Sequence, residues 1–280
     1  MKSIIIRNPG ARLNEGIVTH IERQEINTEL AFEQWLDYID VFENNGWALS
    51  TVMSEEMYPD QVFIEDTAVV YGRFALITNP GADSRKPETI AVSKKLKQLR
   101  YVIGTITASP MASPSVSEAT PTDSPGVSEA TPTAQPTLDG GDVLKVGNTM
   151  YVGIGGRTNL EGFNQLKEFF EKNTDAIAVP IPVTKVLHLK SAVTALPDGT
   201  IIGYDPFVDD ISIFPKYMSV PEESGAHVVV FDSNTILMST SAPLTKKMFE
   251  ELGLVVLTVD ISEFEKLEGC VTCLSIRLRQ

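Results

Sequence analysis

The chain has 280 residues, 42% of them hydrophobic, enough for one large α/β domain or two small ones with a sizeable core. Its 37 acidic residues against 23 basic ones give a formal net charge of −14, so most of the surface repels a polyanion such as nucleic acid and attracts a small cation. No apolar run approaches the roughly 20 residues that span a bilayer, and the opening stretch from Met1 to Asn14 lacks the apolar segment and cleavage site of a signal peptide. With only two cysteines, Cys270 and Cys273, too few for a disulfide framework, these features place the expected protein in the cytoplasm.

In chain order, the β-branched run Lys2 to Arg7 predicts a strand that Pro9-Gly10 breaks, and Glu29 to Asn44 carries Leu30, Trp35, Leu36, Ile39 and Phe42 at helical spacing. Short strands are expected at Trp47 to Val52, Gln61 to Ile64, Thr67 to Tyr71 and Phe74 to Thr78, followed by a helix from Lys86 to Gln98. Ser109 to Pro136 is almost entirely Ser, Thr, Pro, Ala and Glu, and Ser113 to Thr122 is echoed by Ser124 to Thr133 with a period of 11. Such a segment buries too little apolar surface to offset its ordering entropy, so it is expected to be a disordered, partly polyproline-like loop insert. It is either a tolerated expansion or a phosphorylated or partner-binding tail. Beyond it come a strand at Thr149 to Ile154 and a helix at Leu160 to Asn173. Further strands are expected at Lys185 to Leu189, Thr200 to Tyr204, Ala226 to Phe231, Thr235 to Met238, Gly253 to Val259 and Val271 to Leu278. Strand pairs alternating with single helices predict one α/β domain over 1–280, assembled from small ββα-type units.

Several constellations carry chemistry. Cys270-Val271-Thr272-Cys273 is a C-x-x-C, but the three histidines, His20, His188 and His227, have no zinc-ligand spacing. The run that follows alternates like a strand and does not start a helix as a redox motif does. What remains is a reactive cysteine paired with a distant histidine, or an inert core residue. His188 in Val186 to Ser191 is a polar ring inside an apolar strand, either structural or catalytic. Leu138-Asp139-Gly140-Gly141-Asp142 sets two carboxylates about a Gly-Gly step, which allows close backbone approach and positive φ, or simply a turn. Asp60, Glu65 and Asp66 lie about the apolar stretch Gln61 to Ile64, and the adjacent pair suits a guanidinium, whose planar fork of donors matches carboxylates. Arg85 and Arg157 end turn-like segments, where each could hold a substrate carboxylate or sit in a structural ion pair.

Taken in order, PDQVFIED (Pro59 to Asp66), ALITNPGADSR (Ala75 to Arg85), LDGGDVL (Leu138 to Leu144), GRTN (Gly156 to Asn159), LHLKS (Leu187 to Ser191) and EGCVTCLSIR (Glu268 to Arg277) resemble the dimethylarginine dimethylaminohydrolase family, across nearly the whole chain except the insert. The resemblance implies a five-bladed pseudo-symmetric α/β propeller with its site in a central channel. It implies Cys273 as nucleophile, His188 as acid/base and Asp139 as the carboxylate that orients it; some relatives carry Glu there. It also implies Asp60, Glu65 and Asp66 around the guanidinium end, Arg85 and Arg157 on the α-carboxylate, and Glu268 with a lid residue near Ile17 at the α-amino end. Hydrolysis of methylated arginine to citrulline follows as the implied activity, without metal or organic cofactor, in a monomer or homodimer. Alternatives are an arginine deiminase or another guanidine hydrolase and, more remotely, a non-catalytic propeller that binds a partner.

Overall fold

The computed structural model describes residues 2–107 and 135–279. Of the sequence-predicted insert, 109–134 therefore lies outside the described residues. Its last two positions are fixed, since the carbonyls of Gln135 and Pro136 accept hydrogen bonds from the side chains of Asn159 (2.7 Å) and Asn79 (2.6 Å).

The strands come in threes. After β1 (Lys2–Ile6) and β2 (Ala48–Thr51), the chain lays down β3 (Ala68–Tyr71), β4 (Phe74–Ile77) and β5 (Val102–Thr105). Next follow β6 (Val143–Val146), β7 (Thr149–Ile154) and β8 (Ile177–Pro182), then β9 (Val193–Ala195), β10 (Ile201–Gly203) and β11 (Tyr217–Ser219). The last are β12 (Val228–Val230), β13 (Thr235–Ser239), β14 (Val255–Val259) and β15 (Ile276–Arg279). Each triplet is one sheet, with its first two strands antiparallel and its last two parallel. The ring closes by joining its ends: β15 pairs antiparallel with β1, and β1 pairs parallel with β2.

A parallel pair needs a crossover, and helices supply it. α1 (Thr28–Asn44) links β1 to β2, α2 (Thr89–Gln98) links β4 to β5 and α3 (Leu160–Asn173) links β7 to β8. Short α4 (Leu189–Ala192) precedes β9; α5 (Pro243–Glu251) links β13 to β14, and short α6 (Ser262–Glu265) follows. The crossover from β10 to β11 carries only 3-10 turns, at Asp205–Phe207 and Ile211–Ile213. α1 starts where Asn27 accepts a hydrogen bond from the Leu30 amide, and α3 where Asn159 accepts from that of Gly162, so each cap satisfies a donor the helix leaves open. α1 buries Ala31, Trp35, Tyr38, Ile39 and Phe42, and Phe42 stacks 4.6 Å from Phe231 of the neighbouring unit. These contacts lock the closing sheet to the one beside it.

The molecule is thus a five-bladed α/β propeller. The first strands, β3, β6, β9, β12 and β15, all line one axial cavity and so form the inner wall of the ring. No helix among the described residues is long and apolar enough to cross a membrane.

Three sequence-based strands are corrected. Lys185 to Leu189 is a loop that turns into α4; Gln61 to Ile64 is a turn leading to a 3-10 turn at Ile64–Thr67; and Val271 to Cys273 is a turn, the last strand starting only at Ile276. All three are apolar because they are buried under the functional site, not because they join a ladder. Gly140 and Gly141 do not take positive φ; what they supply is close approach.

Candidate active site

The loops that lead into the inner strands carry the polar groups. Asp66 ends the turn before β3, Asp139 precedes β6, His188 opens α4 before β9 and Cys273 lies in the turn before β15. Four units thus each deliver one group to the same end of the axis. In the fifth, His227 holds the corresponding place before β12, but its Nε2 lies 2.9 Å from the Ser191 carbonyl and lines a separate cavity.

His188 Nε2 lies 2.9 Å from Asp139 Oδ2 and 3.9 Å from Asp66 Oδ1, with all three residues buried. Burial alone would lower the imidazole pKa, but Asp66, the Asp139 hydrogen bond and Asp142 outweigh it and lift His188 to about 9. For Asp66, burial favours the neutral acid, but His188, Arg85 and the Gly141 amide at 2.8 Å hold it at about 2. Asp142 behaves oppositely: burial dominates and raises it to about 6, while it accepts from Thr158 Oγ1 (2.6 Å) and the Leu189 amide (2.9 Å) and so ties the His188 segment down.

The Gly-Gly step makes this packing possible. A Cβ on Gly141 would meet His188 Nδ1 at 2.5 Å and Asp66 Oδ1 at 2.7 Å. Gly141→Ala is therefore expected to push the imidazole off its carboxylates and lower turnover about 10²-fold, the usual consequence of a displacement near 1 Å. Turnover with a thermal midpoint checks this; full activity would show that His188 tolerates the shift.

Cys270 Sγ and Cys273 Sγ are 3.3 Å apart in a turn closed by Cys273 N donating to Cys270 O. The pair titrates as one unit. Its first ionisation, on Cys270, falls to about 5 because Cys273 donates to it, and Cys273 rises because of that donation, burial and the neighbouring negative charge. The 3.3 Å separation puts the two sulfurs within reach of one shared proton.

Nine of the ten residues singled out from the sequence line one narrow cavity of 30 Å³: Ile17, Asp60, Asp66, Arg85, Asp139, Arg157, His188, Glu268 and Cys273. The Ile17 to His20 loop is tied across it, with Ile17 N donating to Asp60 Oδ1 (2.9 Å) and the amides of Thr19 and His20 donating to Glu268 (2.6 and 2.8 Å). Glu268 takes φ 59, a left-handed conformation that turns its carboxylate toward this loop. Phe63 and Leu267 add apolar wall that no polar motif signalled.

Glu65 is the exception. Its carboxylate points away from this cavity to Lys190 Nζ (2.5 Å), Arg277 Nη2 and Thr272 Oγ1 (2.9 Å). The physical reason is the 3-10 turn, in which neighbouring side chains diverge by a third of a turn, so Glu65 and Asp66 face different spaces. Arg85 also differs from a free carboxylate holder. All three of its nitrogens are engaged by Asp66 (2.5 Å), Glu88 (3.0 Å) and the carbonyls of Asp60 and Phe63, which makes it the counter-charge of Asp66. Buried Glu88 escaped the sequence reading because only its spacing from Arg85 hinted at it. Half-buried Arg157 makes no ion pair among the described residues and is the cation left to meet an anion.

Glu65→Gln is expected to destabilise the fold by about 3–5 kcal/mol, since it strands two buried cations. Denaturant titration reads this; an unchanged midpoint would show that the cluster is held by other means.

Asp66, Asp139 and His188 place ligand atoms within 4.8 Å of one another. A metal ion there would have to displace the proton of an imidazolium already held by both carboxylates, so the set fits an ion pair better than a metal centre.

No protein-family model matches the chain. Among curated proteins it is 47% identical over 279 residues to N(G),N(G)-dimethylarginine dimethylaminohydrolase of Streptomyces coelicolor, covering 100% of this chain and 98% of that protein. To the protein of the same name from Pseudomonas aeruginosa it is 29% identical over 279 residues, covering 99% of each. A solved structure of the Pseudomonas aeruginosa protein, a cysteine-to-serine mutant complexed with citrulline, superposes with a TM-score of 0.81 at 28% identity, covering 99% of this chain and 98% of that one.

Proposed function

Because the chain belongs to the dimethylarginine dimethylaminohydrolase family, we propose that it hydrolyses ω-N-methylated arginine to citrulline, releasing dimethylamine or methylamine. The observation that carries this reading is one cavity that joins a cysteine, Cys273, to an imidazolium, His188, held between Asp139 and Asp66.

The substrate's guanidinium sits against Asp66, whose depressed pKa keeps it ionised, and its α-carboxylate meets Arg157. The Ile17 to His20 loop lies across this cavity, tied to Asp60 and Glu268, and bounds the way in. The Cys273 thiolate, its proton passed to Cys270, adds to the guanidinium carbon and forms a carbon–sulfur bond. His188 gives its proton to the methylated nitrogen, the carbon–nitrogen bond breaks and the amine leaves, which leaves a thiouronium on sulfur. Neutral His188 then takes a proton from water, whose oxygen adds to the same carbon. Loss of the thiolate yields the ureido product. Citrulline is neutral at that end, so it lacks the charge-assisted bonds that held the substrate and departs.

This mechanism requires the imidazolium. An ordinary histidine loses its proton near 6.5, whereas His188 keeps it to about 9. Its raised pKa stabilises the fold fully below the ordinary value, and that contribution is lost as pH rises through about 9. We expect kcat/KM to fall over the same upper interval and the His188 ring signals in proton NMR to titrate there. A midpoint near the ordinary value would contradict the paired arrangement.

Mass spectrometry of the acid-quenched reaction with asymmetric dimethylarginine tests the chemistry. The expected adduct maps to the peptide carrying Cys273 and disappears in Cys273→Ser. An adduct elsewhere would overturn the assignment of the nucleophile.

A further inference from the structure

The axis of the ring holds a second space whose charge is opposite to that of the molecule as a whole. This cavity, 340 Å³, is bounded by the inner strands of all five blades and shares no lining residue with the His188–Cys273 cavity. Glu65 and its partners divide the two. Four cationic side chains line the axial cavity, Lys145, Lys190, Arg277 and Arg279, and no carboxylate does. From behind the wall, Glu65 reaches Lys190 and Arg277. One carboxylate cannot neutralise this cluster, so the cavity stays positive in a chain of net charge −14, while desolvation within the ring and the neighbouring Lys190 and Arg277 push Lys145 down to about 7.

Like charges gathered about one cavity repel one another, and the repulsion is relieved when an anion enters. The donors are free to receive one. Lys145 Nζ gives one hydrogen bond, to Val70 O at 2.8 Å, and Arg279 Nη2 gives one to Val230 O, so both retain unused N–H groups beside the cavity. The volume falls in the range of small-ligand pockets. The walls are otherwise strand backbone and small apolar side chains such as Val143, Ala195 and Val229, which contribute no competing negative charge.

We propose that this axial cavity is a binding site for a small polyvalent oxyanion of the phosphate class, held by Lys145, Lys190, Arg277 and Arg279. The inference does not depend on the hydrolase chemistry, because none of the four lines the site of that reaction.

Isothermal titration calorimetry of the full chain with inorganic phosphate and then pyrophosphate, at ionic strength held constant with sodium chloride, tests it. Binding at one site per chain is expected, tighter for pyrophosphate, and weakened about tenfold or more, roughly 1.4 kcal/mol, in each of Lys145→Gln and Arg279→Gln. Both residues are exposed, and circular dichroism verifies that each variant folds; if one does not, the other is read. The absence of heat beyond the chloride control would overturn the proposal. So would binding that persists unchanged in both variants, which would place the anion at Arg157 on the other side of the divide.

Discussion

Cys273→Ser is expected to reduce turnover by about 10⁴-fold or more while leaving the thermal midpoint almost unchanged. A serine hydroxyl fits the space but is a far weaker nucleophile, because it holds its proton too tightly for the neighbouring Cys270 sulfur to remove. Cys270→Ser is the informative companion. It retains the nucleophile and removes the hydrogen bond and the charge of Cys270 that hold the pKa of the Cys273 thiol up, so most activity survives. Equal and complete loss in both variants would instead indicate that the two sulfurs act as a redox pair, and iodoacetamide labelling against pH would distinguish the cases.

His188→Ala is expected to lower turnover by about 10³- to 10⁴-fold, because in the proposed mechanism the same ring protonates the leaving amine and later deprotonates water. Removing it also leaves Asp66 and Asp139 facing one another without their shared cation. Asp66 then loses the charge that does most to hold its pKa down, so the variant should bind the cationic substrate with an affinity that falls as pH drops. A variant that turns over at the parent rate would remove His188 from the mechanism. Asp139→Asn separates the roles: it keeps the imidazole in place through a neutral partner but lowers its pKa, so the upper limb of the pH profile should move down.

What the sequence made legible follows from the strength of each local signal. α1 and α3 were recognisable nearly to the residue because an apolar stripe at helical spacing begins at a capping asparagine and runs for several turns. Outer strands β5 and β11 were not anticipated because they are too short for a readable two-residue alternation, β8 because Pro180 and Pro182 interrupt it, and α5 because it buries only Thr245 and Phe249 and so shows no long apolar stripe. The proposed catalytic groups were legible as ordered motifs because each sits in a loop that opens an inner strand. Their directions were not. Glu65 and Asp66 are adjacent letters, and only the 3-10 turn decides that one faces the divide and the other the imidazole. Arg85 looked available because Asp66 and Glu88 reach it through folding that single-letter spacing does not display. Gly140 and Gly141 signalled a special backbone, but the requirement is absence of a Cβ, which would strike Glu65 O or His188, and not unusual φ.

The most direct test is product analysis with the purified chain. It would be incubated separately with asymmetric dimethylarginine, monomethylarginine, arginine and agmatine, with ureido product measured colorimetrically and released amine identified. The carboxylates of Asp66 and Asp139, Arg157 without an ion pair among the described residues, and the Cys273–His188 cavity predict citrulline from the two methylated arginines, with dimethylamine or methylamine in equal amount. Agmatine should be poor, because it has no carboxylate for Arg157. Ureido product from arginine alone, with ammonia, would assign the chain to a deiminase, and no ureido product from any of the four would contradict the proposed hydrolysis.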